Sequence, residues 1–283
     1  MKKNYIMLVL DSTQLICNEC KVNPNISRNL KRGERLVEHS LFKVLDSVEG
    51  PQATFEVLQY QLESSQMQQN FYTSHNTPRQ VRITLNNGAV MLEQGALHFM
   101  KGHISVDNSI GGAGGMFKKL ASSMLTNEST FKPTYKGQGE IYLEPSTKHF
   151  VIYQLQNEEI IVDKGMFHAC ETSVDVGVAA VKNFSAAAKG GEGFFQTKLR
   201  GNGIAILESP VPLREIVKMN LNNERLQVDG NFAILRTGNI EFTVEKSAKT
   251  LLGSATTGEG WLQTFTGTGQ VWLAPTEYLY RSY

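Results

Sequence analysis

Histidine, carboxylate and cysteine side chains are the groups in this chain that could bind a metal or move a proton. His98 and His168 stand 70 residues apart in matching contexts, Gly95-Ala96-Leu97-His98-Phe99 and Gly165-Met166-Phe167-His168-Ala169. Imidazoles meeting at a common axis would suit zinc or a similar ion. A third context of this kind carries Ala233 at the matching place, which removes one ligand, so ordinary strand histidines are expected. Glu93, Asp163 and Asp229 each precede the glycine of that context, and Glu128, Glu192 and Glu259 recur elsewhere in step. A ring of carboxylates could hold a cation or a basic partner while repelling itself. A carboxylate beside glycine more often accepts the N–H groups of its own turn, and that is the expected role.

Cys17-Asn18-Glu19-Cys20 has the spacing of a zinc knuckle or a redox pair, but a structural zinc site needs four ligands and His39 and Cys170 are isolated. The sequence contains no Gly-x-Ser-x-Gly elbow to mark a nucleophilic serine. These readings assign no catalytic residue, no cofactor and no metal.

The elements that hold these residues are repeated. Tyr135-Lys136-Gly137-Gln138-Gly139-Glu140-Ile141-Tyr142-Leu143, Leu199-Arg200-Gly201-Asn202-Gly203-Ile204-Ala205-Ile206-Leu207 and Phe265-Thr266-Gly267-Thr268-Gly269-Gln270-Val271-Trp272-Leu273 share one pattern at intervals of 64 and 66 residues. Self-similarity at a near-constant period governs the reading of everything else. Alternating apolar positions after each Gly-x-Gly predict strands, with the glycines at positive φ or in a bulge. No third glycine and no helix follow, so phosphate binding of the dinucleotide type is not expected.

Composition sets limits on class. With 283 residues, 41% of them hydrophobic, the chain can bury a large core, and its formal net charge of +1 gives no overall pull toward nucleic acid. Three cysteines are too few and too uneven for a disulfide framework, which favours a reducing compartment. The opening apolar run Tyr5–Leu10 stops at Asp11, short of a secretory signal, and no stretch reaches the length of a membrane span. A cytoplasmic location is expected.

The predicted organisation is an N-terminal extension over 1–52 and three units over 53–144, 145–208 and 209–283. Short inserts interrupt the units at Met116–Thr126, Ala179–Lys189 and Ser247–Gly253. In the first, Met116, Phe117, Leu120, Ala121, Met124 and Leu125 share one face of a short predicted helix, a stripe that would pack on the protein's own sheet.

Several stretches resemble a known family: Ala53-Thr54-Phe55-Glu56-Val57-Leu58-Gln59-Tyr60, Asn86-Asn87-Gly88-Ala89-Val90, Gly95-Ala96-Leu97-His98-Phe99-Met100-Lys101-Gly102, Val162-Asp163-Lys164-Gly165-Met166-Phe167 and Gly267-Thr268-Gly269-Gln270-Val271-Trp272-Leu273-Ala274-Pro275. Over about residues 40 to 280 the chain resembles an uncharacterised bacterial family related to the altered-inheritance-of-mitochondria proteins. The resemblance implies an all-β fold of three tandem domains like the tryptophan RNA-binding attenuation protein (TRAP), each a β-sandwich or double-stranded β-helix, around a pseudo-threefold axis.

It implies no reaction, and fold alone does not carry function. RNA binding is not expected, because no threefold lysine and arginine pattern marks the domain edges. The expected function is a non-enzymatic scaffold or binding module that presents a pseudo-threefold surface to a macromolecular partner, a membrane-associated one among the options. The alternative is a small-molecule or metal-binding enzyme with its site between repeats. A monomer and a homo-oligomer both fit.

Overall fold

Twelve β-strands account for most of the described chain, a computed structural model that describes residues 41–61, 77–107, 132–180, 195–246 and 261–280. In chain order they are β1 (Phe42–Glu49), β2 (Ala53–Tyr60), β3 (Arg79–Leu92), β4 (Leu97–Asp107), β5 (Thr134–Leu143), β6 (His149–Val162), β7 (Phe167–Glu171), β8 (Val174–Ala180), β9 (Phe195–Ser209), β10 (Val217–Asp229), β11 (Ala233–Lys246) and β12 (Trp261–Leu273). All described pairings are antiparallel and join one large open sheet in the order β1-β2-β3-β7-β9-β6-β11-β12-β10, with β5 on β3, β4 on β5 and β8 on β9. The expected all-β class holds. β1 falls inside the stretch read as an extension, yet it pairs with β2 from Phe42↔Tyr60 to Glu49↔Thr54.

The three Gly-x-Gly segments lie in β5, β9 and β12, and each of these strands is flanked on both sides: β5 by β3 and β4, β9 by β6 and β7–β8, β12 by β10 and β11. Opposite each segment the partner strand carries one extra residue, Asn87, Asn157 or Asn223, at φ 53°, 55° and 55°. Asparagine tolerates this left-handed conformation better than other side chains do, and one such residue makes a bulge that bends the strand. On the other side, glycine is demanded by close backbone approach. A Cβ on Gly137 would stand 2.0 Å from the His103 carbonyl oxygen, and one on Gly267 2.1 Å from that of Asn239. The Gly-x-Gly therefore serves strand packing.

Alternation builds the core. Val81, Ile83 and Leu85 of β3 are fully buried while Arg82 and Thr84 between them are only partly so, the period-two pattern of a strand with one face inside. One cluster joins Phe55, Ile83 and Ile141 to Phe150 and Ile206; a second joins Leu155, Phe167 and Leu207 to Leu235 and Trp272; a smaller third holds Leu221, Phe242, Phe265 and Val271. The expected helix at Met116–Thr126, the insert from 181 to 189 and the insert from 247 to 253 lie outside the described residues, whereas Ala179 and Ala180 end β8. The described helical structure is two short 3₁₀ turns, Leu213–Glu215 and Glu277–Tyr280.

Candidate functional site

The paired histidines occupy separate settings. His98 is exposed on β4, where the buried amide Nε2 of Gln80 donates to its Nδ1 at 3.0 Å. Gln80 is itself anchored, donating to the Leu143 carbonyl at 2.8 Å and accepting from the Tyr60 hydroxyl at 2.8 Å. His168 is half-buried on β7 with its ring edge toward Phe150 at 5.4 Å. Burial holds its imidazole below the ordinary 6.5, outweighing the opposite pull of Glu208 and Met166. Among the described residues no group of three or more His, Cys, Asp or Glu side chains is placed to hold a metal.

The acidic residues of the turns also diverge. Glu93 follows β3, receives the Lys132 ammonium on both oxygens at 2.6 and 2.5 Å, and accepts the Gln94 N–H at 3.1 Å. Burial raises the Asp163 carboxyl, against hydrogen bonds from the Lys164 backbone and Gln196. Asp229 is exposed at the end of β10. The turns are closed by backbone bonds, Ala96 N–H to the Glu93 carbonyl and Met166 N–H to the Asp163 carbonyl, with Gly95 and Gly165 both at φ 82°. Glu128, Glu192, Glu259, Cys17, Cys20 and His39 lie outside the described residues. Cys170 is a free thiol buried in the core, its pKa pushed well up by burial.

Sequence reasoning missed the most enclosed carboxylate among the described residues. Glu171, only 1% exposed at the end of β7, accepts the Gln52 N–H at 3.2 Å through Oε1 and the Ile204 N–H at 3.0 Å through Oε2. The neighbouring Thr172 hydroxyl donates to the Gln52 side-chain oxygen at 2.7 Å. Glu171 thereby ties the β1–β2 turn to β9. The turn fits closely: a Cβ on Gly50 would lie 2.4 Å from Glu171 Oε1, and one on Gly88 1.8 Å from the Gln52 carbonyl oxygen.

Two clefts flank this turn. The larger, about 520 Å³, is lined by Glu49, Gln52, Thr84, Asn86, Gln138 and Glu140. The smaller, about 270 Å³, lies against Gln154, Gln156, Glu171 and Asn202. Both abut a Gly-x-Gly bulge. Their side chains offer amide and hydroxyl groups, which both donate and accept, and carboxylates; among the described residues the lining includes no histidine, lysine, arginine or cysteine, so its charged groups are anionic.

A second buried polar cluster marks the meeting of β6 and β11. Arg236, opposite Ile161, donates to Gln196 at 2.5 Å and stands 5.1 Å from the Phe242 ring. Burial lowers its guanidinium to about 10, with Asp163 pulling the other way. The outer strands differ in character, since Met100 and Val106 on β4 and Val217 and Met219 on β10 are exposed apolar side chains.

The profile of the mitochondrial biogenesis AIM24 family matches residues 71–276, which takes in β3 to β12 and every Gly-x-Gly bulge. The chain belongs to the AIM24 family. An uncharacterized protein of Streptococcus pyogenes serotype M6 is 25% identical over 202 residues, 68% of this chain and 79% of the relative. A crystal structure of a Streptococcus pyogenes protein matches with TM-score 0.50 at 19% identity, covering 70% of this chain and 88% of that one. That likeness concerns the fold. Among the described residues no helix is long and apolar enough to cross a membrane.

Proposed function

We propose that this AIM24-family chain is a non-enzymatic β-rich scaffold that presents its outer strands to a macromolecular partner. The observation that carries the reading is the state of β4 and β10, which bond on one side to β5 and β12, bear exposed Met100, Val106, Val217 and Met219, and have no other strand partner among the described residues. Unpaired strand edges with apolar side chains are templates for association. In this proposal the units are 53–144, 145–208 and 209–283, TRAP-like domains each turned from the last about a pseudo-threefold axis, with β4 of the first and β10 of the third not paired to each other; the recurrence of the bulge at Asn87, Asn157 and Asn223 supports it. The near-neutral charge supports a partner other than nucleic acid, and the three cysteines support a cytoplasmic setting.

The test is photocrosslinking in the native cell, with a photoreactive residue at Met100 or Val217 and a control at exposed Lys164. The reading expects defined adducts from the first two positions and none from the control. Equal, diffuse labelling at all three would defeat it. The larger cleft favours a second reading, a small-molecule site, because its volume of about 520 Å³ lies in the range of ligand pockets. Binding of a small solute or divalent cation that raises the melting temperature of the native chain, and ceases to do so in Glu49→Gln/Glu140→Gln, would support that reading over the first.

A further inference from the structure

Twice within this chain, the last residues of one strand pair with a second strand across the boundary between proposed units. β3 meets β7 through Val90↔Glu171, Met91↔Cys170 and Leu92↔Ala169. β6 meets β11 through Ile160↔Thr237, Ile161↔Arg236 and Val162↔Leu235. The two seams are superimposable in sequence terms. Each begins three residues after a left-handed asparagine, Asn87 or Asn157, and in each the partner segment begins seven residues after the matching position, five past the asparagine, in the partner's own unit: Ala169 after Val162 and Leu235 after Val228.

The same landmarks define a third seam that the chain leaves unmade. Three residues after Asn223 comes Leu226–Val228 on β10, and seven after Leu92 comes Phe99–Lys101 on β4. These two segments are not paired with each other here. Their surfaces show the difference. At the middle of the two made seams Cys170 and Arg236 are 0% and 7% exposed, whereas the matching Met100 is 40% exposed.

We propose that a second copy of this chain completes the seam, its β4 pairing with the side of β10 away from β12, which has no strand partner among the described residues, in the register Leu226↔Lys101, Gln227↔Met100 and Val228↔Phe99. This rests on the scaffold reading and names its partner. The occupant is argued from the chain itself, because an edge shaped for β4 is found on every copy, as is the β4 that fits it. The contact is head-to-tail, so each added copy satisfies one edge and offers another, and association runs to a closed ring or an open filament.

The test uses the full chain with Cys17→Ser and Cys20→Ser, leaving Cys170 in the core. Met100→Cys and Gln227→Cys are made in separate chains, mixed, and treated with a short thiol crosslinker. A two-chain product from the mixture, absent from either variant alone and absent when Lys218→Cys replaces Gln227→Cys, is expected; with both substitutions in one chain a ladder of multimers is expected. Light scattering on the unsubstituted chain should show a mass rising with concentration above the 31.5 kDa of one copy. A single-chain mass at every concentration overturns the inference, as does crosslinking confined within one chain or a product from Met100→Cys alone. If the photocrosslinker at Met100 captures a different protein while the mass stays that of one copy, this inference fails and the scaffold reading stands.

Discussion

Glu171 shows how much one side chain can connect: its two oxygens take N–H groups from residues 119 positions before it and 33 after it. Glu171→Ala leaves the buried Ile204 N–H unsatisfied, at about 1–3 kcal/mol, and the half-buried Gln52 N–H turned toward the cleft, so urea denaturation should show a loss of that order; Glu171→Gln, which keeps one acceptor oxygen, should lose less. His168 gives a pH prediction. Its folded imidazole binds a proton less readily than the unfolded one, so its share of stability is complete above the ordinary 6.5 and declines as pH falls below it toward the depressed folded value. Melting temperatures measured from pH 7.5 to 5 should therefore fall less steeply in His168→Phe than in the parent. At this scale the sequence was legible where partners are local. Glu93 and Asp163 do accept N–H groups of their own turns, as glycine neighbours imply. Glu171 was not legible, since its neighbours Cys170 and Thr172 say nothing of a turn more than a hundred residues away.

At the scale of the strand, the left-handed asparagine and the glycine pair form one device. Asn157→Gly should be nearly neutral, because glycine adopts the same backbone freely, while Asn157→Val should cost roughly 1–2 kcal/mol for forcing a branched residue into left-handed space. Gly267→Ala should cost more than either, since its methyl meets a backbone carbonyl that cannot step aside. Equal melting temperatures for the valine and glycine variants would show that the bulge carries no strain. The Gly-x-Gly half of this device was visible in the sequence from its repetition and the alternation behind it. The asparagine half was harder to see, because Asn86-Asn87-Gly88, Gln156-Asn157-Glu158 and Asn222-Asn223-Glu224 sit inside long strands, where asparagine is disfavoured and its exception has to be recognised by position. β1 was passed over because five of its eight side chains in a row, Lys43 to Ser47, are exposed, so no buried face imposed a pattern.

Across the whole molecule, stability is unevenly spread. Among the described residues the cluster around Phe242 and Phe265 has six buried members against fifteen and seventeen in the other two, and these six come from β10, β11 and β12. Hydrogen exchange should accordingly be faster in β10 and the far halves of β11 and β12 than in β6 and β9, and Phe265→Ala should widen the gap. Uniform protection over the sheet would contradict this, and slower exchange in β10 at higher protein concentration would match the third seam. The class and the number of glycine strands could be read from the sequence because period and alternation are local; the open order of the sheet could not, because it depends on which strand ends meet across distant segments. One consequence of the bulges reaches beyond stability. A strand met on one flank by its partner's left-handed asparagine, and on the other by a backbone that approaches closely at its own two glycines, cannot slip by one position without turning its inner face to water. Insertions and deletions should thus accumulate among relatives in the connections, leaving the distance from each such asparagine to the following seam constant as the family diverges.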